Sequence, residues 1–180
     1  MPARRNRRSM ARIPAIDLEA LNAADRKIYD AIAGPRGGMG GPFAAWFVVP
    51  EIAGHVNALV DRLRYASKLD PRIYELITLV IAHEWSAEFV WRAHAKAALK
   101  AGVAPEVLAA IERGGVPAFT RTDERVTYDF VHSLATGHNV ADELYARAHD
   151  CLGTAALVEI VTVAGYYAMN AMISKAFDVK

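Results

Sequence analysis

Glu75 is the residue of this sequence whose type and setting point most directly to chemistry. It precedes an apolar run at 76–82, so a helix through this region would give its carboxylate a buried or half-buried position. An unpaired carboxylate in such a position is costly and tends to take up a proton. The sequence therefore predicts that Glu75 has a polar partner close by.

His94 is the predicted partner of Glu75. A tight bend at 85–87 between two antiparallel helices would bring positions 75 and 94 side by side. In such a pair the carboxylate sets the tautomer and orientation of the ring, and the imidazole acts as a general acid or base near neutral pH. The alternative is a buried hydrogen bond with a structural role only.

The elements that would position this pair are helices throughout. Apolar residues recur at helical spacing between proline, glycine and capping signals, and no stretch shows strand alternation bounded by hairpin turns. The fold class predicted is all-α. The predicted helices cover 17–34, with Asp17 as N-cap and Gly34-Pro35 as stop, then 43–49, 50–68, 71–84, 87–100, 105–113, 122–137, 141–152 and 154–176, and a glycine-rich loop lies at 34–42.

Composition bounds the size of the protein and its classes of partner. The length of 180 residues with 53% hydrophobic residues suits one domain, assigned to 13–180 after a disordered basic tail at 1–12. The near balance of 21 basic and 20 acidic residues gives no reason to expect nucleic acid. The apolar runs at 76–82 and 158–168 are shorter than the ~20 residues of a membrane span, so no membrane partner is expected.

The chain has a single cysteine, Cys151. It therefore has neither an intrachain disulfide nor a pair of cysteines for redox chemistry. A single cysteine suits a reducing compartment, and we expect a cytoplasmic location.

The segment from Arg72 to Gly102 resembles the core of the carboxymuconolactone decarboxylase / alkylhydroperoxidase-D-like family. It has a glutamate, an apolar helix, a bend, a histidine and the ending ALKAG. The two cysteines of the redox branch would fall at Ala87 and Val90, so the chain resembles a cysteine-free subgroup and peroxidase chemistry is not expected. The resemblance implies a single-domain, all-α, multi-helix bundle that assembles as a trimer or hexamer, with its site close to a subunit interface.

The resemblance and the Glu–His pair together favour a cofactor-independent enzyme. Glu75 would orient His94, and His94 would move a proton on a small carboxylate or lactone substrate, in a decarboxylation or an isomerisation. Four further side chains are expected to bind the substrate around the pair: Trp85, Trp91, His83 and Tyr167. The competing hypothesis is a non-catalytic oligomeric protein that has kept the fold and binds a ligand without reaction.

Two further possibilities concern a metal ion and a substrate anchor. Glu75, His83 and His94 could supply three metal ligands, but their spacing matches no HxxxH or HxxEH motif, so no metal is predicted. An arginine near the cavity could hold a substrate carboxylate. The candidates are Arg64, Arg72 and Arg92, each of which is otherwise expected on the surface.

Overall fold

The computed structural model describes residues 12–179, so all of the predicted basic tail except Arg12 lies outside the described residues. Within this range every regular element is helical, which confirms the all-α prediction. The helices are α1 (Ala23–Arg36), α2 (Pro42–Trp46), α3 (Pro50–Tyr65), α4 (Pro71–Glu84), α5 (Glu88–Ala101), α6 (Pro105–Glu112), α7 (Thr122–His132) and α8 (Asp142–Phe177).

The chain divides into two compact units. Among the described residues, the first unit comprises 12–55 and 173–179, and the second comprises 56–172. The first contains α1 and α2, and the second contains α4 to α7 together with every residue predicted to form the site. The boundaries between the units fall inside α3 and α8.

In the first unit, the predicted start of α1 is wrong. The N-cap is Asn22, whose side chain accepts hydrogen bonds from the backbone N–H groups of Ala24 and Asp25. Asp17 instead accepts a hydrogen bond from the N–H of Glu19 and forms a local turn before the helix. Aspartate and asparagine suit both roles, so residue type alone does not separate a cap from a turn.

The predicted stop of α1 is also wrong, because the helix continues through Pro35 to Arg36. A proline ring also clashes with the side chain and N–H of the residue before it, and that residue is Gly34, which has no Cβ. The helix ends at Gly37, whose left-handed backbone (φ +71°) lets its N–H bond back to the last turn. The connecting loop is accordingly shorter than predicted.

Helix α4 lies at the centre of the second unit, where it packs against α5, α6 and α7. Its residues from Arg72 to Ala82 are all buried, as expected of a helix covered on every side. It starts as predicted, with Asp70 as N-cap and Pro71 in the first turn. It ends as predicted near Trp85, after which the chain turns through Ser86 (φ +46°) into α5.

A buried ion cluster joins α4 to the start of α7. The Arg72 guanidinium, 6% exposed, lies 2.8 Å from Glu124, 2.7 Å from Asp123 and 3.4 Å from Asp70. Burial acts to raise the pKa of Asp123, but the hydrogen bond and the charge of Arg72 outweigh it, so that pKa is lowered. The expectation that Arg72 is a surface residue is therefore wrong: the arginine is buried because three carboxylates neutralise it.

Helix α8 contains the predicted break. Gly153 has non-helical dihedral angles (φ 79°, ψ 160°) inside an otherwise continuous helix of 36 residues. By length and composition alone this helix could cross a membrane, so the argument that its apolar run is too short does not hold for the whole element. A core helix of a water-soluble protein meets the same two conditions.

Candidate functional site

The carboxylate of Glu75 and the imidazole of His94 meet between α4 and α5, as the sequence predicts. Glu75 Oε2 lies 2.7 Å from His94 Nδ1. Both side chains are nearly covered, with 12% and 10% exposed. The bend at 85–87 makes α5 run back along α4 and so brings together two residues that are 19 positions apart in the sequence.

The second nitrogen of the His94 ring is also engaged. Its Nε2 lies 3.2 Å from the hydroxyl of Tyr167 on α8, and that hydroxyl lies 3.2 Å from the hydroxyl of Tyr74 on α4. The Tyr167 ring packs edge-on against both the imidazole and the Tyr74 ring. Four polar side chains from three helices thus form one hydrogen-bonded chain, which we call the Glu75–Tyr74 chain.

The two phenols of this chain are held in their neutral form. Burial raises the pKa of Tyr167 well above its ordinary value, and the neighbouring Tyr74 acts in the same direction. Burial likewise raises the pKa of Tyr74, partly opposed by its hydrogen bond to Tyr167 and by the positive charge of Arg64. Arg64 is an exposed residue, and its charge reaches Tyr167, Tyr74 and Glu75.

Glu75 also borders a cavity of about 380 Å³. Its other lining residues are Asp70, Pro71, Ala97, Lys100 and Ala101. The cavity combines a carboxylate backed by a histidine with an ammonium group that can bind an anion. A small acid of opposite charge to Lys100 would therefore meet a proton-transferring group in the same space.

His83 and Trp91 line a different cavity, of about 360 Å³, together with Ala87 and Arg92. Its lining does not include Glu75 or His94. Trp85 lines neither of these two cavities and is half-buried at the C-terminal end of α4. Of the four predicted substrate-binding residues, Tyr167 contacts the pair, since its hydroxyl lies 3.2 Å from His94 Nε2.

Sequence reasoning missed Tyr74 and Lys100. Tyr74 directly precedes Glu75 on a helix buried on all sides, so two successive side chains on different faces can both contribute to one site. Lys100 lies six positions after His94, a spacing that predicts no shared helix face. Only the position of α5 beside the start of α4 brings Lys100 to the Glu75 cavity.

Glu159, a second glutamate in an apolar helix, has a different role from Glu75. It accepts hydrogen bonds from the Ser67 hydroxyl (2.5 Å), from the backbone N–H of Lys68 (3.1 Å) and from Arg62 (3.2 Å). These bonds hold the segment that follows α3. The hydrogen bond from the Ser67 hydroxyl makes the largest contribution to the pKa of Glu159 and lowers it. Burial raises this pKa, but the bonds from Lys68 and Arg62 lower it further, so the net effect is a lowered pKa.

Among residues 12–179 no group of three or more His, Cys, Asp or Glu side chains is arranged to hold a metal ion. Several known solved structures are similar in fold, and one family model matches part of the sequence. Residues 50–124 match the model of the carboxymuconolactone decarboxylase family. No protein of the curated collection matches the chain.

The similar structures share the all-α fold over most of their length. A peroxidase-related protein from Silicibacter sp. TM1040 has a TM-score of 0.71 at 17% identity, covering 92% of this chain and 90% of that one. The debrominase Bmp8, solved with 2,3,4-tribromopyrrole, has a TM-score of 0.68 at 13% identity, with 89% and 88% covered. A peroxidase-related protein from Ralstonia eutropha JMP134, described as an alkylhydroperoxidase AhpD core, has a TM-score of 0.68 at 15% identity, with 94% and 90% covered. The predicted alkylhydroperoxidase-D-like fold is confirmed.

Proposed function

We propose that this chain, whose residues 50–124 match the model of the carboxymuconolactone decarboxylase family, is a cofactor-independent enzyme that transfers a proton on a small organic acid or lactone. The reaction would be a decarboxylation or an isomerisation at a carbon next to a carbonyl or carboxylate. The observation that carries this proposal is that Glu75 borders a cavity while its buried carboxylate is hydrogen-bonded at 2.7 Å to His94.

The geometry favours Glu75 as the group that meets the substrate. Both nitrogens of His94 are bonded to protein groups, Nδ1 to Glu75 and Nε2 to Tyr167. The sequence-based assignment made His94 the group that acts on the substrate and Glu75 its support. We propose the reverse: Glu75 is the acid or base in the cavity, and His94 stabilises the Glu75 carboxylate and exchanges a proton with it.

Lys100 is the proposed anchor for the substrate. It lines the same cavity as Glu75, and its ammonium would pair with a substrate carboxylate. Asp70 also lines this cavity, and its carboxylate would repel a second negative charge on the substrate. The site would therefore prefer a monoanion or a lactone with one acidic group. In a substrate of this kind, the carbon that gains or loses a proton would lie between the Lys100 ammonium and Glu75.

Redox chemistry does not enter the proposal. The positions at which the resemblance places the two cysteines are Ala87 and Val90, and neither side chain can form a thiolate. The structural neighbours described as peroxidase-related are similar in fold at 17% identity or less, which carries no activity to this chain.

The experiment is exchange of substrate hydrogen with solvent. The protein is incubated in D2O with a panel of small aromatic-derived acids and lactones, and proton NMR follows deuterium incorporation and product formation. We expect exchange with the wild type and a loss of about 10²-fold or more in Glu75→Gln. Glu84→Gln, on the same helix and in the lining of neither cavity, is the matched control and should retain full activity.

A second candidate is a non-catalytic protein that binds a ligand in this cavity. The observation in its favour is that every polar atom of the His94 ring is satisfied within the protein. Binding of an acid or lactone that depends on Lys100, without deuterium incorporation or product in the panel experiment, would support it. Binding that depends on Trp91 and not on Lys100 would move the ligand to the other cavity.

We also propose that the protein is a homo-oligomer, a trimer or hexamer. Large apolar side chains on α8 are exposed in the second unit, namely Val158 at 61%, Val161 at 46% and Met172 at 49%. They recur at about helical spacing and form an apolar stripe that a second copy would cover. Light scattering during size-exclusion chromatography tests the mass, and Val158→Asp should reduce it.

We retain a cytoplasmic location as a proposal, supported by the single cysteine.

A further inference from the structure

The Glu75–Tyr74 chain runs without a break from Glu75, which borders the cavity, to Tyr74, which is 7% exposed. We propose that Tyr167 and Tyr74 carry a proton from solvent to His94 and thence to Glu75, so that Glu75 can be recharged as an acid while substrate fills the cavity. This inference rests on the proposed function, because it assigns the proton source of the same site.

The three contacts between the side chains of the route are within hydrogen-bonding distance. The separations are 3.2 Å between the two phenol oxygens, 3.2 Å from the Tyr167 oxygen to His94 Nε2, and 2.7 Å from His94 Nδ1 to Glu75 Oε2. Tyr167 and His94 are 3% and 8% exposed, so bulk water has little access to the middle of the route. A proton that reaches Glu75 from this side therefore passes through the side chains.

The Glu75–Tyr74 chain has two hydrogen-bonding arrangements that differ by one proton. In the first, Tyr74 donates to Tyr167, Tyr167 donates to His94 Nε2, and His94 Nδ1–H donates to the Glu75 carboxylate. In the second, one proton has entered from solvent at Tyr74 and each proton has moved one place along. Glu75 is then a carboxylic acid that donates to Nδ1, and His94 Nε2–H donates back to Tyr167.

The route avoids the charges that burial makes costly. In both arrangements the two phenols and the imidazole are neutral, and only Glu75 changes its charge. The raised pKa values of Tyr74 and Tyr167 agree with phenols that keep a proton throughout. A decarboxylation leaves a carbanion that must gain a proton, and this chain supplies that proton through Glu75 with no net change in the tyrosines.

The charged groups around the route lie at its two ends. Arg64 lies near Tyr74 at the outer end, while Lys100 and Asp70 line the cavity at the inner end. Delivery through the outer end should respond to the concentration of a proton-donating buffer such as imidazole, whose protonated form supplies the proton. This response separates a proton route from a structural role.

The kinetic test compares Tyr167→Phe and Tyr74→Phe with the control Tyr128→Phe. Tyr128 is 7% exposed, like Tyr74, but does not belong to the Glu75–Tyr74 chain. With a substrate from the panel and little buffer, we expect kcat to fall about 10-fold to 10²-fold in the first two variants with KM unchanged. Adding imidazole should restore much of kcat in Tyr74→Phe, which lacks only the outer group. Full kcat in both variants, or a loss that imidazole does not restore in Tyr74→Phe, overturns the proposal.

A second measurement needs no substrate. Nitrogen-15 NMR of the histidine ring reports which nitrogen carries the proton. We expect wild-type His94 near pH 7 to be neutral with the proton on Nδ1, and Tyr167→Phe to change the Nε2 resonance while Nδ1 stays protonated. An imidazolium, or a proton on Nε2, contradicts the stated direction of the hydrogen bonds.

The two measurements separate the failure of the relay from the failure of the proposed function. If no acid or lactone of the panel exchanges hydrogen with solvent or reacts, the proposed function fails. The position of the proton on the His94 ring, which is measured without substrate, then still shows whether Tyr167 donates a hydrogen bond to His94. If the wild type turns over but both tyrosine variants keep full kcat, the relay fails and the function of Glu75 stands.

Discussion

Replacing His94 with alanine should destabilise the protein through a specific loss, that of the partner of Glu75. The Glu75 carboxylate is 12% exposed and receives a 2.7 Å hydrogen bond from the ring. A hydrogen bond to a charged group contributes about 1.5–3 kcal/mol, and an unsatisfied buried group costs a similar amount. We therefore expect His94→Ala to lower the free energy of unfolding by about 2–4 kcal/mol, including the void left by the ring.

A double-mutant cycle isolates the part of this loss that belongs to the pair. Glu75→Leu removes the carboxylate and fills part of its space, so His94→Ala in that background should cost about 1.5–3 kcal/mol less than in the wild type. Urea unfolding followed by circular dichroism, at fixed protein concentration and pH 7, gives the four free energies. The m-value should not change, because the fold is retained.

The chain supplies a matched control for the cycle. His132 and Glu84 form a second histidine–glutamate pair at 3.7 Å, with 44% and 23% of their side chains exposed. Such an exposed pair is worth about 0–1 kcal/mol, so its coupling should be clearly smaller. If the coupling of Glu75 to His94 were no larger than that of the control pair, the reasoning that makes the buried pair a strong interaction would be refuted.

Three further predictions concern stability in the second unit, each measured by urea unfolding. Arg72→Met should cost about 3–5 kcal/mol, because it leaves the buried Glu124 carboxylate without its cation. Since the pKa of Asp123 is lowered in the folded protein, its contribution is complete above its ordinary value of 3.8 and is lost as the pH falls below it; unfolding over pH 2–6 should show a weaker acid dependence in Arg72→Met. Glu159→Gln should reduce stability at pH 7 and match the wild type more closely at low pH, because the Ser67 hydroxyl and its other donors lower the pKa of Glu159 below 4.5. Gly153→Ala should cost about 1–3 kcal/mol, since its dihedral angles (φ 79°, ψ 160°) suit glycine alone although no atom within 4 Å opposes a Cβ.

Local patterns predicted most of the helices and the contact between Glu75 and His94. The N-cap Asp70, the proline after it and the bend after Trp85 are signals read over a few residues, and they place α4 and α5 correctly. The buried position of Arg72 could not be predicted in this way. Its partners Asp123 and Glu124 are 51 and 52 residues further on, and only the packing of α7 against α4 brings them together.

The division of the expected single cavity into two follows from helix geometry. Glu75 and His83 are eight residues apart on α4, which at 1.5 Å per residue separates them by about 12 Å along the axis. A small acid cannot span that distance while its carbon lies against the Glu75 carboxylate, so His83 and Trp91 belong to a separate site at the bend end of the helix pair. At the other end, the same antiparallel arrangement brings Lys100 from the last turn of α5 to the first turn of α4. Lys100→Gln should therefore raise the KM for an anionic substrate while Trp91→Ala leaves it unchanged, and the opposite pattern would place the reaction in the His83 cavity.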